Sequence, residues 1–208
     1  MLIAALPHTR TEDGARLSML VWRLPEPMTV ASTASVGGGV GTRQWVANAQ
    51  VGRDYVRHDQ STHAKELAAS AGLEGTGVVM FTASDVRGVR LAVDGGVQAE
   101  ATVGLTHPTW AADVDGAHNG SPGTINIVAF LPVRLAPAAL LNALCTVTEA
   151  KAQALLEAGV PGTGTASDAV AVACPATGPA EPFAGPRSAW GARVARAVYA
   201  AVLAGARG

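Results

Sequence analysis

The feature of this sequence that most constrains its fold is a strand, a helix and a second strand that follow one another with almost no spacer. Residues 124–131 are almost continuously apolar, which is typical of a strand buried on both faces. Residues 137–157 begin with proline, which is favoured at the first position of a helix, and a glycine follows their end. Residues 169–173 indicate another short buried strand. We therefore expect one strand–helix–strand unit over residues 123–174 in the centre of the domain.

The rest of the chain predicts strands before this unit and one helix after it. Apolar runs bounded by turn residues predict five more strands, at residues 17–24, 28–36, 45–51, 78–82 and 97–105. Two further helices are predicted at residues 58–71 and 188–203. This order predicts one layered domain of class α+β or α/β over residues 1–208, with a mixed sheet and about three main helices. The polar segment 106–123 is a loop of a length that proteins usually keep for function.

Charge and composition disfavour several classes of partner. Only 15% of the residues are charged and the net charge is −1, so no long-range attraction for nucleic acid or an anionic membrane is expected. The N-terminal apolar run ends at Pro7 without a basic region before it, and no apolar run approaches the ~18 residues of a membrane-spanning helix. The two cysteines form no metal or redox motif. We expect a cytoplasmic protein with reduced thiols.

The helix at residues 137–157 carries an amine where an apolar side chain is expected. At ~100° per residue, Lys151 falls on the apolar stripe of this helix, which is made by Leu140, Leu144, Val147 and Leu155. Either the lysine extends along the core to reach water, or it is held against a carboxylate or a substrate amide, with Asp168 as the expected partner. Glu149 lies on the opposite, polar face, where a carboxylate is either solvated or catalytic.

Two glycine-rich segments are candidates for ligand contact. In the turn at residues 162–168, Gly164 and Thr165 offer backbone donors, and Asp168 either holds a water molecule or caps the turn. We expect this turn at the rim of the main cleft. The cluster that includes Gly38 and Gly39 follows Ser35 and lacks dinucleotide-binding spacing, so it either wraps a bulky flat ligand or is only a flexible loop.

The remaining candidates lie in and around the first central strand. Thr124 and Asn126 face the same side of that strand, and a buried asparagine needs partners for its donors and its acceptor. Asn126 is therefore either a structural bridge or a group that positions the substrate. The histidines are scattered and form no H-x-H or H-E-x-x-H motif, so we expect no metal ligands and no zinc hydrolase.

Several of these blocks together resemble the adenosylcobinamide amidohydrolase family. The resemblance rests on Gly-Thr-Ile-Asn at 123–126, Thr-Glu-Ala-Lys at 148–151 and Gly-Thr-Gly-Thr at 162–165 with Asp168. It also includes the Ser/Ala-rich segment 32–39 with Asn48 downstream, and Gly-Pro-Arg-Ser-Ala-Trp-Gly at 185–191. Residues 105–110 and 166–167 depart from the family pattern.

The resemblance implies a corrinoid-salvage enzyme. Family members hydrolyse adenosylcobinamide to adenosylcobyric acid and 1-amino-2-propanol, so cobalt would arrive only within the substrate and no cofactor is expected. Amide hydrolysis needs a base, an oxyanion binder and an acid for the leaving amine, and our own hypothesis is that Asp168 or Glu149 is the base and Lys151 the acid or oxyanion binder. Substrate contact is expected from Ser35, Gly38, Gly39, Asn48, Thr124, Asn126, Gly164 and Thr165.

Three questions stay open from the sequence. A corrinoid-binding protein without turnover would keep the same pocket. An N-terminal-nucleophile hydrolase would be cut before Thr124 or Thr165, releasing a threonine amine as base. Self-association into a homo-oligomer is also open.

Overall fold

The computed structural model describes residues 2–113 and 123–208. Three helices are described, α1 (Gln60–Ser70), α2 (Pro137–Glu157) and α3 (Ala189–Ala206), and a single 3₁₀ turn covers Val86–Gly88. The strands are β1 (Ala5–Glu12), β2 (Ala15–Ser32), β3 (Gly39–Gln50), β4 (Gly77–Thr82), β5 (Arg90–Asp94), β6 (Val97–Val103), β7 (Ile125–Phe130), β8 (Arg134–Leu135), β9 (Ala169–Pro175) and β10 (Ala180–Glu181).

Eight of the strands form one mixed sheet in the order β4-β3-β2-β9-β7-β6-β5, and β1 pairs with β2 beside this path. β3 and β4 are parallel, as are β7 and β9, and the other neighbours are antiparallel. The predicted layered α+β fold, with a mixed sheet and three main helices, is confirmed. The predicted strand–helix–strand unit is also confirmed, because β7 and β9 are parallel neighbours joined through α2.

The long strand β2 replaces two predicted strands. Residues 17–24 and 28–32 belong to one strand that continues through Pro25 and Pro27. Proline cannot donate a hydrogen bond to a neighbouring strand. In β2 the prolines lie where the partner strand changes, since residues 15–22 pair with β1 and residues 28–32 pair with β9. The register with β3 also shifts there, between Arg23 and Met28. The prolines therefore mark a bend in one strand, and the prediction of a break was wrong.

The sheet curls strongly about its long axis. Asn48 of β3 donates from Nδ2 to Thr102 Oγ1 of β6 at 2.9 Å, although β2, β9 and β7 lie between these strands in the sheet. The concave side is filled by buried apolar side chains from β2, β3, β4, β7 and β9, such as Trp22, Val30, Val46, Met80 and Phe130. With few aromatic residues in the chain, this interior depends largely on Ala, Val, Leu and Met.

The helices cover the outer surface of the curl. α2 and α3 pack against β6, β7 and β9, where buried alanines such as Ala143, Ala150 and Ala154 let α2 lie close to the sheet. α1 covers β2, β3 and β4 through Ala64 and Leu67. No helix in the described residues is both long and apolar enough to cross a membrane.

Candidate active site

A cleft of about 400 Å³ opens where loops from both halves of the curled sheet meet. Its walls are residues 33–35 after β2, residues 51–53 and Tyr55 after β3, and residues 80–83 at the end of β4. Its floor is closed by Thr124 before β7 and by residues 167–169 at the start of β9. The turn at residues 162–168 therefore reaches this cleft through Ser167 and Asp168, so the predicted position of the turn at a concave site is confirmed.

Asp168 is the most heavily hydrogen-bonded side chain of this cleft. Its Oδ1 accepts from the Ile125 backbone N–H at 2.9 Å and from the Thr165 hydroxyl. Its Oδ2 accepts from the Thr165 backbone N–H at 3.1 Å and from Lys151 Nζ. A carboxylate has about four lone-pair positions, and here all of them are occupied. Asp168 thus ties the start of β7 to the Gly/Thr turn.

Lys151 reaches Asp168 from behind the cleft, through the packed face of α2. The two side chains form the predicted ion pair, and their exposures of 9% and 11% show that the pair is buried. Lys151 does not line the cleft. A Cβ added to Gly164 would lie 2.5 Å from both Lys151 Nζ and Asp168 Oδ2, so this glycine lets the backbone pass directly beside the pair.

A second backbone contact fixes the same turn. Thr109 donates its N–H to Gly164 O at 2.8 Å and accepts from the Thr163 N–H at 2.9 Å. A Cβ on Gly162 would meet the Thr109 backbone at 2.7 Å, so only glycine allows this approach. The segment 105–110, which departs from the family pattern, is therefore the partner of the Gly/Thr turn.

Hydroxyl groups line the cleft next to Asp168. Thr124 Oγ1 and Ser167 Oγ lie 2.8 Å apart, and Ser167 donates to Gly123 O at 3.2 Å. Ser35 also lines the cleft, as the sequence predicted. Ser167 was not predicted, although its position one residue before Asp168 in the turn was a usable signal.

Asn48 and Asn126 lie beneath the cleft rather than in its wall. Asn126 Nδ2 donates to Asn48 Oδ1 at 2.8 Å and to Phe81 O at 3.2 Å, and Asn48 continues the chain to Thr102. The Asn126 Oδ1 atom is buried without a hydrogen-bond partner among the described residues. The structural-bridge interpretation of Asn126 fits these contacts, since it ties β7 to β3 and β4 across the concave interior.

Of the predicted site residues, Ser35, Thr124 and Asp168 line the cleft, and the others do not: Lys151, Glu149, Gly38, Gly39, Asn48, Asn126, Gly164 and Thr165. Gly38 and Gly39 belong to the tight connection between β2 and β3, where a Cβ on Gly38 would meet Ala34 O at 2.2 Å and where Gly39 has a positive φ of 77°. Both glycines serve the turn geometry, and the cleft lining does not include them. Glu149 is exposed on the outer side of α2 and likewise does not line the cleft.

A chain of polar side chains, of which His63 is buried and Glu12 and Tyr55 are half-buried, ends in the cleft at Tyr55. The Tyr55 hydroxyl is 2.9 Å from His63 Nδ1, and His63 Nε2 is 3.2 Å from the Glu12 carboxylate. Arg10 donates to Glu12 Oε2 from Nε at 2.9 Å and from Nη2 at 2.6 Å. No sequence motif joined these residues, because Glu12 and His63 are 51 positions apart.

The electrostatics of this chain favour an ionised Glu12 and a protonated Tyr55. Burial raises the pKa of the Glu12 carboxyl, but the hydrogen bonds and charge of Arg10, with His63, outweigh it and hold the pKa below its usual value. Burial raises the pKa of the Tyr55 hydroxyl above its usual value, only partly offset by the charge of Arg57.

Within residues 2–113 and 123–208, no three His, Cys, Asp or Glu side chains converge as metal ligands would. Asp115 and His118 of the predicted functional loop lie outside the described residues. Metal independence stays a prediction.

Comparison with known proteins gives the same family throughout. The model of the family described as adenosylcobinamide amidohydrolase matches residues 4–208. A Methanosarcina mazei protein named adenosylcobinamide amidohydrolase is 30% identical over 184 residues, which cover 84% of this chain and 88% of that protein. A Halobacterium salinarum protein of the same name is 40% identical over 133 residues, which cover 61% of this chain and 57% of that protein.

Proposed function

This chain belongs to the adenosylcobinamide amidohydrolase family, and we propose that it hydrolyses the aminopropanol amide of adenosylcobinamide. The reaction consumes one water molecule and yields adenosylcobyric acid and 1-amino-2-propanol. In the cell it would return incomplete corrinoids to cobalamin synthesis.

The observation that carries this proposal is the convergence of the family-like blocks on one cleft. Thr124 comes from the Gly-Thr-Ile-Asn block, and Asp168 comes from the Gly/Thr turn that Lys151 of the Thr-Glu-Ala-Lys block holds in place. Ser35 comes from a segment about ninety residues earlier in the sequence than Thr124. Residues that are scattered in the sequence thus surround one concave site.

The shape and chemistry of the cleft suit an amide side arm. A volume of about 400 Å³ lies within the range of small-molecule sites but is too small for a whole corrin macrocycle. We therefore propose that the aminopropanol arm enters the cleft and the macrocycle stays at its mouth. The Ser35 hydroxyl can donate to an amide oxygen, and the hydroxyl oxygens of Ser35, Thr124 and Ser167 can accept from an amide N–H.

We assign the predicted catalytic pair a positioning role. Asp168 accepts four hydrogen bonds and Lys151 lies behind it, so the pair holds Thr165 and the start of β7 in place rather than exchanging protons with the substrate. Because Gly164 has no side chain, the Lys151–Asp168 pair can lie directly against the turn. Glu149 points away from the cleft and has no proposed contact with the reacting amide.

A hydrolysis assay with isotopically labelled water tests the proposal. Purified protein is incubated with adenosylcobinamide in ¹⁸O-water, and the products are followed by mass spectrometry. We expect release of 1-amino-2-propanol and one ¹⁸O atom in the new carboxylate of adenosylcobyric acid. Adenosylcobyric acid itself, which lacks the aminopropanol amide, is the matched substrate control.

Two results would redirect the proposal. Saturable binding of adenosylcobinamide without release of amine would indicate a corrinoid carrier. An active protein whose intact mass shows cleavage before Thr124 or Thr165 would indicate an N-terminal-nucleophile hydrolase.

The proposed partner is a corrinoid that brings its own cobalt, and no resident cofactor is proposed. The net charge of −1 supports a small-molecule partner rather than nucleic acid. The free thiols of Cys145 and Cys174 support a reducing, cytoplasmic location.

A further inference from the structure

The Glu12–His63–Tyr55 chain has the connectivity of a proton relay that opens into the cleft. Tyr55 lines the cleft, whereas His63 is only 2% exposed and lies behind it. Glu12 lies beyond His63 on β1, where Arg10 holds it with two hydrogen bonds. The three groups are thus arranged in a line from the outer edge of the sheet to the candidate site.

For a neutral His63, the ionised Glu12 carboxylate sets the direction of each hydrogen bond. An ionised carboxylate can only accept, so His63 Nε2 must carry a hydrogen that points to Glu12. In neutral His63, Nδ1 is then a bare acceptor, and the Tyr55 hydroxyl must donate to it. The lone pairs of the Tyr55 oxygen are left for a group in the cleft.

Aromatic packing shields this relay from water. The Tyr55, His63 and Phe81 rings lie mutually close, with centroid separations of 5.4 to 5.5 Å. The His63 and Phe81 rings are within 15° of parallel. Such packing holds both donor–acceptor geometries and keeps solvent from competing for His63.

We propose that Tyr55 is the catalytic acid–base residue of this site, that His63 receives the Tyr55 proton, and that Glu12 is a positioning residue that holds His63 and stabilises its charge. The proposal rests on the proposed amide hydrolysis and names the group that activates the water. It differs from the sequence-based assignment to Asp168, whose lone pairs are all occupied.

The proton balance of the reaction follows from the fixed tautomer. When water attacks the amide carbon, its proton passes to the Tyr55 oxygen while the Tyr55 hydroxyl proton passes to His63 Nδ1. The water oxygen forms the new C–O bond, and the carbonyl π pair moves to the carbonyl oxygen. The resulting imidazolium faces the Glu12 carboxylate, which stabilises its charge.

Collapse of the tetrahedral intermediate reverses the transfer. The proton on His63 Nδ1 returns to Tyr55 as Tyr55 protonates the amide nitrogen. The C–N bond breaks with its electron pair on nitrogen, the carbonyl re-forms, and the amine leaves neutral. The new carboxylic acid then loses its proton to solvent, so the enzyme has no net gain or loss of protons over one turnover.

The experiment compares the only two tyrosines of the chain, Tyr55 and Tyr199. Tyr55→Phe keeps the ring packing and removes only the hydroxyl. Tyr199→Phe is the matched control, since Tyr199 hydrogen bonds to Glu157 on the helical side of the molecule. We expect Tyr55→Phe to lower kcat by ~10²- to 10⁴-fold with KM nearly unchanged, and Tyr199→Phe to retain wild-type values.

A second pair of variants tests the positioning residue. Glu12→Gln removes the charge behind His63, and we expect kcat to fall by at least ~10-fold. The ¹⁵N NMR signals of His63 should change from a single Nε2–H tautomer to a tautomer mixture. Glu66→Gln, which alters an exposed pair with Arg57, should leave both kcat and the His63 signals unchanged.

The outcomes separate this inference from the proposed function. A wild-type protein that releases no amine overturns both. An active wild type with an equally active Tyr55→Phe variant overturns the role of Tyr55 and leaves the hydrolase assignment intact. If Tyr55→Phe is inactive but Glu12→Gln keeps wild-type kcat and an unchanged His63 tautomer, the relay behind Tyr55 is refuted.

Discussion

Replacing Lys151 by methionine tests whether the buried ion pair organises the cleft. Methionine matches the apolar stripe of α2 and keeps most of the packed volume, so we expect a folded protein. What the substitution removes is the ammonium beside Asp168. The chain offers a matched control in its other lysine, Lys65, which is exposed on α1.

The contacts of Asp168 set the expected magnitude. Removing one partner of a buried ion pair costs ~3–5 kcal/mol because the remaining charge stays buried. Asp168 keeps three other donors, from Ile125 and Thr165, so we expect the lower end, about 3 kcal/mol. For a chain of this size each kcal/mol lowers Tm by ~2–4 °C, which predicts a decrease of about 6–12 °C.

The effect on catalysis should exceed what the stability loss explains. At a temperature where the variant is still folded, Asp168 without Lys151 is free to turn toward water and to shift Thr165 and the cleft floor. Misplacement of a site by about 1 Å costs ~10²-fold in rate, so we expect Lys151→Met to lose ~10²-fold in kcat/KM.

Thermal unfolding and the amine-release assay, each run beside Lys65→Met, decide the question. A Lys151→Met protein with wild-type Tm would show that the ion pair contributes no net stability. Near wild-type turnover would show that the Lys151–Asp168 ion pair does not organise the cleft.

Three further predictions follow from other contacts. Gly164→Ala should destabilise the protein by ~1–3 kcal/mol because the new Cβ would collide with the Lys151–Asp168 pair. The control Gly88→Ala has open space around the new Cβ and should change stability by less than ~0.5 kcal/mol. Equal unfolding midpoints for the two variants would refute this prediction. Burial raises the pKa of Glu100 above 4.5, so its contribution to stability is present below that pH and lost as pH rises through the folded-state pKa. The stability of Glu100→Gln relative to wild type should therefore increase from about pH 4 to about pH 8 in denaturant titrations, and a flat difference would contradict it. Amide cleavage should survive chelation, and a loss restored by added zinc would show a metal requirement.

The parts of the fold that sequence periodicity predicted are those whose signals are local. The apolar run of β7, the proline at the start of α2 and the short strand β9 each carry their own pattern, so their order predicted a parallel strand–helix–strand unit. The Lys151–Asp168 pair was predictable for the same reason, since an amine on an apolar stripe needs a nearby carboxylate.

Features built from distant strands escaped prediction. β1 consists mainly of polar residues and pairs with one strand, so it lacks the apolar alternation by which strands are recognised. Because β1 was not predicted, Glu12 could not be placed beside His63, and the hydrogen-bonded chain to Tyr55 could not be predicted either. The curl of the sheet was equally hidden, because the contact between Asn48 and Thr102 depends on the accumulated bend of the intervening strands.

The two sides of the cleft differ in a way that divides binding from chemistry. On one side, every lone pair of Asp168 accepts from a backbone or side-chain donor, which holds the Gly/Thr turn in place. On the other side, the Tyr55 hydroxyl hydrogen-bonds inward to His63 Nδ1 while Tyr55 lines the cleft. A hydrolase needs both a fixed surface that orients the amide and a group that can gain and lose a proton. Asp168 supplies the fixed surface because all of its lone pairs accept hydrogen bonds. Tyr55 is suited to proton exchange because its oxygen has lone pairs left for a group in the cleft. The same residue cannot readily supply both properties.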